Sequence, residues 1–445
     1  MRVSNVYSRL RRVDNPVGNL PVLAEESQGT RLAVGPIGPA KPALLRELNE
    51  RTVLEVIRRL RSVSRAEVAR RTGLSKPTVS LALRTLEASG LVGPVGAESG
   101  RRGRAGILFE PIADAALGGA VEIAVSGVRA VVVDLDGTTL HEYVATWDSP
   151  PATAAAVVDT VGRAVSELER ATGRPFDALV IGTPGVRDPR SGVLTRVGTI
   201  PALEGAALGE LVAERTGRVP AVHNDVDLVA LGEQAEGHGR DVEDFAVLWI
   251  GSGLGAALVL RGELVVGHAG GAGEIFDVPF ARAMRSSGSG PNEFTELGLT
   301  NDGALALARR LTGGAAGWRR AEEVLDAAVL GDEVAAAVLD EVGTWTAWYV
   351  ATLVALVDPA LVVLAGPLGA HDALRPVVEE RLGEWIGAPP GLVSSKLGAR
   401  SVLSGAAAVA VRLAADAAFA NRILERNGVD ERNGADERDT SGGRS

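Results

Sequence analysis

A chain of 445 residues is too long for one ordinary core and points to a small module joined to a larger, two-lobed body. It contains no cysteine, which excludes disulfides and any cysteine-ligated metal. The net charge is −10 and no charged-then-apolar signal pattern opens the sequence, so the reading is a cytoplasmic protein with no membrane partner.

Residues 1–40 are rich in Pro, Gly and Arg, the composition of a disordered lead-in. A DNA-binding domain is expected over residues 41–112. Leu54, Val56, Ile57 and Leu60 recur at helical spacing and supply its first helix. Ser64 with Glu67 three residues later is a capping-box signature, so a second helix starts at Arg65 and stops at Gly73. Ser75 caps a third helix, and Pro77 falls in its first turn, where no intrahelical partner is lost. Val79, Leu83 and Leu86 face the core, while Ser75, Lys76, Thr78, Ser80 and Arg84 occupy the opposite face. Short polar side chains at a helix N-terminus suit phosphate and base-edge contacts in a major groove, as the second helix of a helix-turn-helix requires.

The segment VGPVGAESGRRGRAGILFEP then reads as a β-hairpin wing. Its tip carries Arg101, Arg102 and Arg104, placed for a minor groove. A small helical packing module with a solvated basic loop would share much of this pattern. Charge separates the two readings: residues 41–110 hold fourteen Lys or Arg against seven Asp or Glu, a local net of +7, and the remainder carries −17. A basic head on an acidic body fits a binder of double-stranded operator DNA with a regulatory domain attached.

The body, residues 117–420, opens with two strands, GGAVEIAV and RAVVVDLDG, joined at Ser126-Gly127, and a third strand lies near 141–146. A helix over 152–172 and a buried strand over 178–182 follow. The second half repeats the plan with the hairpin FAVLWIG and GAALVLRGELVVG, helices over 303–311 and 333–357, and the buried strand LVVLAG. Such alternation marks two α/β lobes, about 117–222 and 223–420, with a small-ligand cleft between them. The most apolar stretch, 345–357, is cut by Asp358 and Pro359 and is too short to span a bilayer. From 422 to 445 the chain alternates charges with Gly and Asn, which predicts a disordered tail.

Four pieces of the body, IGTPGVRDPRSGVL, VHNDVDLVALGE, WIGSGLGAALVLRGEL and HAGGAGEI, resemble in this order the ROK family (repressors, open reading frames and sugar kinases). With the winged head, the resemblance covers roughly residues 41–420. It implies an α/β two-lobed actin-like ATPase (ribonuclease H-like) fold behind an N-terminal winged helix-turn-helix. It further implies that Asn224 binds a sugar hydroxyl and that Asp225 is the base that deprotonates the attacking hydroxyl, as a carboxylate within hydrogen-bond reach does in phosphoryl transfer. Either residue would equally serve as the cap of the helix that follows. Glu274, preceded by glycines that let backbone approach a ligand, matches a sugar-binding Glu of the family, and Glu296 is matched to another.

The departures carry as much information. Asp277 stands where the family has a histidine, and SSGSGPNEF replaces its cysteine zinc cluster, so no zinc and no other metal is expected. His268 reads as a turn or surface histidine. The family's Asp-x-Gly-Gly-Thr phosphate loop corresponds here to Glu122, Ile123, Ala124, Val125 and Ser126, whose β-carbons hinder the close backbone approach a phosphate needs. This argues against ATP as a cofactor and makes Asp225 a vestigial base. The second phosphate-type loop keeps Gly251, Gly253 and Gly255, and AGPLG resembles a degenerate adenosine loop. The resulting expectation is a ligand-responsive transcriptional repressor. It binds operator DNA as a homodimer or higher homo-oligomer and senses a sugar or sugar phosphate. Two alternatives stand beside it: an active ATP-dependent sugar kinase carrying a DNA-binding head, and a body that serves purely as a dimerisation platform.

Overall fold

The computed structural model describes residues 42–97, 107–277, 299–315 and 317–440. The chain divides into a first unit, Met1–Leu45, and a second, Arg46–Ser445, which holds the elements that follow apart from the opening residues of the first helix.

The head consists of α1 (Pro42–Leu60), β1 (Val63–Ser64), α2 (Arg65–Thr72), α3 (Lys76–Ala88), β2 (Val92–Ala97) and β3 (Ile107–Pro111). Both central helices begin and end where their polar residues place them. Ser64 Oγ accepts the Glu67 N–H at 3.4 Å, and Gly73 closes α2 in the left-handed region at φ 69°. The Glu67 carboxylate takes Arg70 and Arg71 instead of reaching back to Ser64, so the reciprocal half of the capping box is replaced by ion pairs. Ser75 Oγ accepts the Thr78 N–H at 3.3 Å.

Val79, Leu83 and Leu86 are buried against Leu54 and Ile57, with Val56 partly buried at the margin. Leu60 departs from expectation: it lies past the last core-facing turn of α1 and is 37% exposed, while Val53 is fully buried in that core. The hairpin is present, β2 pairing antiparallel with β3 in a sheet of order β1-β3-β2. Its tip, with Arg101, Arg102 and Arg104, lies outside the described residues.

The body is built on two five-stranded sheets. The first has the order β10-β7-β4-β5-β6 and uses β4 (Gly118–Ala124), β5 (Gly127–Val133), β6 (Thr139–Thr146), β7 (Ala178–Thr183) and β10 (Ala221–Asn224). Its outer face is covered by α4 (Ala154–Thr172), with Val157, Val161 and Val165 buried against Ile123, Val128 and Ile181. A short hairpin, β8 (Val186–Arg187) with β9 (Leu194–Thr195), and α5 (Leu208–Thr216) complete this half.

The second sheet has the order β13-β12-β11-β14-β15, from β11 (Phe245–Ile250), β12 (Leu254–Leu260), β13 (Glu263–Leu264), β14 (Leu361–Ala365) and β15 (Gly391–Ser394). Helices Asn301–Leu311, Ala321–Val329, Glu333–Val357 and Leu374–Trp385 share a core with its outer face.

Two helices fill the space between the sheets. α6 (Asp225–Ala235) and the C-terminal helix Ser401–Thr440 bury Leu228, Val229, Leu403, Ala406 and Ala410 against Val131 and Val180 of one sheet and Val247 and Val363 of the other. They cross at glycines: a Cβ on Gly405 would lie 1.8 Å from the Leu228 carbonyl oxygen, so no side chain fits there.

This helix bears on two expectations. It packs on β4, β5 and β7, so its first half belongs with the first sheet and not solely with a lobe starting at 223. It also runs as helix through the segment read as a disordered tail, since Glu, Arg and Ala propagate a helix already nucleated upstream. Its 398–422 portion, more than 345–357, has the length and mean hydropathy (1.6) of a membrane span, with 61% of that window buried inside the protein. The apolarity belongs to the core between the sheets.

Candidate functional site

β4, β7 and β10 run parallel, and their C-terminal ends meet in register: Glu122 lies opposite Gly182, and Thr183 opposite Asn224. Ligands of open α/β sheets bind outside these strand ends, where helices start. Here α6 starts immediately after β10. Asn224 is its N-cap, Oδ1 accepting the N–H groups of Val226 at 2.8 Å and Asp227 at 3.2 Å. Nδ2 donates to the Gly185 carbonyl at 3.1 Å and ties down the loop after β7. The capping role open in the sequence is therefore the one Asn224 fills, and both ends of its amide are engaged.

Four carboxylates gather at this end of the sheet. Asp225 opens α6 and accepts the Val226 N–H at 2.9 Å, and desolvation pushes its pKa up to about 6. Glu122, at the end of β4, is raised to about 7 by burial and by the charge of Asp225, against the opposing pull of Arg129 and Arg400. Its Oε2 is buried without a hydrogen-bond partner. Asp227 is 8% exposed, and burial, with Asp225 and Glu274 as like charges, raises it to about 7. Burial disfavours the charged form and neighbouring carboxylates add to it, so near neutral pH this cluster holds protons that exposed acids have shed.

Glu274 is half-buried and reaches the cluster from the loop after β13. Glycines dictate that approach: a Cβ on Gly270 would lie 2.2 Å from the Arg187 carbonyl oxygen, and one on Gly273 2.0 Å from that of Ala256. Asp277 closes the turn Ile275–Asp277, its side chain lying outside the description, and Glu296 lies outside the described residues. His268 is exposed in the same loop.

Asp227 and the two arginines beside Glu122 are neighbours in this cluster that the motifs did not single out. Asp227 had a signal: it is a second acid in the first turn of DVDLVALG, ahead of a run of apolar residues. Arg129 and Arg400 had none, since one is on β5 and the other precedes the C-terminal helix.

The phosphate-type loops differ from each other. Val125 and Ser126 form a tight, exposed turn between β4 and β5, and Ser126 accepts the Trp147 N–H at 2.9 Å. The chain here carries the β-carbons of Ala124 and Val125 where the family resemblance places the glycines of a phosphate loop. In the loop after β11, the Gly251 N–H is spent on the Gly253 carbonyl at 2.9 Å, and the Gly251 carbonyl accepts the Asn301 N–H at 2.8 Å. A Cβ on Gly253 would meet nothing within 4 Å, whereas Gly255 abuts Val226 of α6. Among the described residues no three His, Asp or Glu side chains are grouped to hold a metal, and without cysteine the donors for a zinc loop do not exist.

On the head, Ser75, Lys76 and Arg84 are exposed and Thr78 and Ser80 half-exposed on one side of α3. Three hydroxyls are occupied locally, Ser80 donating to the Lys76 carbonyl at 2.8 Å and Ser75 sharing a hydrogen bond with Thr78 at 2.7 Å. Lys76 and Arg84 are left as the outward charges of this face.

Residues 118–412 match the profile of the ROK family, and residues 52–96 match the IclR helix-turn-helix domain. The chain is 32% identical over 204 residues to the bifunctional enzyme NanE/NanK of Brucella suis, covering 46% of this chain and 37% of that protein. It is 24% identical over 235 residues to a xylose repressor of Caldicellulosiruptor bescii, covering 52% of this chain and 58% of the repressor. The chain thus spans well under two thirds of the length of either relative. Among solved structures, a ROK family transcriptional regulator described as a homologue of the E. coli MLC protein superimposes with a TM-score of 0.69. That pair is 19% identical, and the match covers 86% of this chain and 99% of the other, a likeness of fold.

Proposed function

The chain belongs to the ROK family, and on that premise we propose that it is a sugar-responsive transcriptional repressor acting on the chromosome in the cytoplasm. A helix-turn-helix with a basic outward face precedes the family body, and one of the relatives above is a xylose repressor. In this reading α3 enters the major groove of operator DNA, with Ser75, Lys76, Thr78, Ser80 and Arg84 toward it and the arginines of the wing tip in the adjoining minor groove. Two copies of the chain present two heads to related half-sites.

The effector is a sugar or sugar phosphate held by Asp225, Glu274, Asp277 and Glu296, with Asn224 shaping the rim through its cap. Neutral and ionised carboxylates side by side both donate to and accept from hydroxyls, the chemistry a polyol requires. The single observation that carries the regulatory over the enzymatic reading is the β4–β5 turn, whose exposed residues are Val125 and Ser126, with Val125 in place of a glycine that the family resemblance leads one to expect of a phosphate loop.

A second reading rests on Asp225, whose pKa near 6 suits a general base. Thermal-shift measurement across a panel of sugars and sugar phosphates, paired with a coupled ATP-turnover assay on the same panel, separates the two. A shift without turnover, lost in Glu274→Ala, supports the sensor. Turnover abolished by Asp225→Asn overturns it in favour of a sugar kinase with a DNA-binding head.

A further inference from the structure

The C-terminal helix takes part in two cores at once. Between the sheets it buries Leu403, Ala406 and Ala410, and less than three turns later Ala414, Ala415, Ala418 and Phe419 pack into the core of the head with Leu54, Ile57 and Leu86. Arg51 of α1 pairs with Asp416 at 3.7 Å and lies 5.5 Å over the Phe419 ring. Just beyond, the Arg422 guanidinium donates to the Ser89 carbonyl at 2.5 Å, the Gly90 carbonyl at 2.9 Å and the Ala115 carbonyl at 2.8 Å.

These acceptors are specific in kind. Ser89 is the C-cap of α3, and Gly90 follows it in the left-handed region at φ 64°. Carbonyls at a helix C-terminus lack intrahelical donors and carry its partial negative charge, so a cation there satisfies both needs. Ala115 lies in the connection that leads from the head into β4. One planar guanidinium, with five N–H donors, therefore joins the end of α3 to the passage between head and body.

We infer that Arg422 is the residue that positions α3 on the body, and that the helix from Gly405 to Arg422 carries movements of the ligand site to the DNA-binding face. The regulatory half of this inference rests on the function proposed above. The other end of the lever is the α6 crossing, where the absence of clearance at Gly405 obliges the C-terminal helix to follow α6. α6 in turn begins with Asn224 and Asp225. About 25 Å of continuous helix, at 1.5 Å per residue, separates Gly405 from Arg422. Arg61, just after α1, donates to the Asp136 carbonyl at 2.7 Å and forms a second tether from head to body.

The absence of cysteine allows a direct test. Spin labels at Glu87→Cys on exposed α3 and at the exposed Val219→Cys of the body report the distance between the two by pulsed electron resonance on the full chain. The otherwise unsubstituted protein is expected to give one narrow distribution, and Arg422→Gln to broaden or displace it while hydrogen exchange in the core of α2 and α3 stays slow. The same variant is expected to bind a duplex recovered by in vitro selection at least fivefold more weakly with an unchanged salt slope, because Arg422 touches no phosphate. Arg422→Lys, whose single ammonium cannot span three carbonyls, falls between. If Arg422→Gln fails to fold, Gly232→Ala replaces it: its Cβ would stand 3.1 Å from Gly405 N and the Ser401 carbonyl oxygen, displacing the lever without touching the head. An unchanged distance distribution in the folded variant overturns the inference. A chain that binds no selected duplex overturns the DNA-binding reading, and the distance measurement still decides the role of Arg422.

Discussion

The N-termini of α3 and α6 are built alike and used in opposite ways. Each begins with a polar cap whose side-chain oxygen accepts backbone N–H groups of the first turn, Ser75 in one case and Asn224 in the other. Around α3 the neighbouring polar groups stay in water, and Lys76 is exposed on the outward face. Around α6 two sheets close over the turn, and Asp225 and Asp227 are desolvated until their pKa values approach neutrality. The contrast teaches that the cap fixes where a helix starts, whereas burial of the first turn decides which chemistry it offers.

The comparison can be broken most forcefully from the packed side of α3. Leu83→Ala removes a fully packed side chain from the head, and denaturant unfolding is expected to show a loss of about 2–5 kcal/mol. A loss below about 1 kcal/mol would mean that the head core is not shared as described.

At α6 the sign of the pH dependence is the sharper probe. Asp225, Asp227 and Glu122 have folded-state pKa values raised above the ordinary carboxylate range. The folded chain therefore binds more protons than the unfolded one between about pH 4 and pH 7. Their contribution favours folding below that window and is lost as pH rises through it. Asp227→Asn is expected to raise the Tm at pH 8, with the gain gone by about pH 5. A gain of equal size at both pH values would show that charge is not the cause.

For the exposed side, Arg101→Gln with Arg102→Gln is expected to lower the slope of log K against log salt by up to about 2 for duplex binding. An unaltered slope would remove the wing tip from the interface. Smallest is the cap itself: Ser75→Ala is expected to cost about 1 kcal/mol by denaturation, and no cost would mean the cap is replaced by water.

Much of this fold is legible in the sequence because local rules govern it. Ser64 and Gly73 bound α2, the glycines before Glu274 mark a loop pressed against carbonyls, and the helix Glu333–Val357 follows from its own periodicity. What was not legible depends on contacts between distant segments. Arg422 reaches Ser89 across 333 positions, and nothing in the residues around either one announces the bond. The tail reads as disordered from composition alone, whereas the helix found there continues one whose stability comes from two cores elsewhere in the chain. In the candidate site, motif order pointed to Asn224, Asp225 and Glu274, which the fold brings to one end of the first sheet. The carboxylate count was short by Asp227, because an acid in a helical first turn is usually solvated.

The measurement closest to the central claim is a fluorescence anisotropy titration of the full chain against a duplex recovered by in vitro selection, run with and without D-xylose and D-glucose over a range of salt. The account predicts tight, steeply salt-dependent binding that one of the sugars shifts, and loss of that shift in Glu274→Ala. Indifference to every selected duplex, together with efficient ATP-dependent phosphorylation of either sugar, would contradict it.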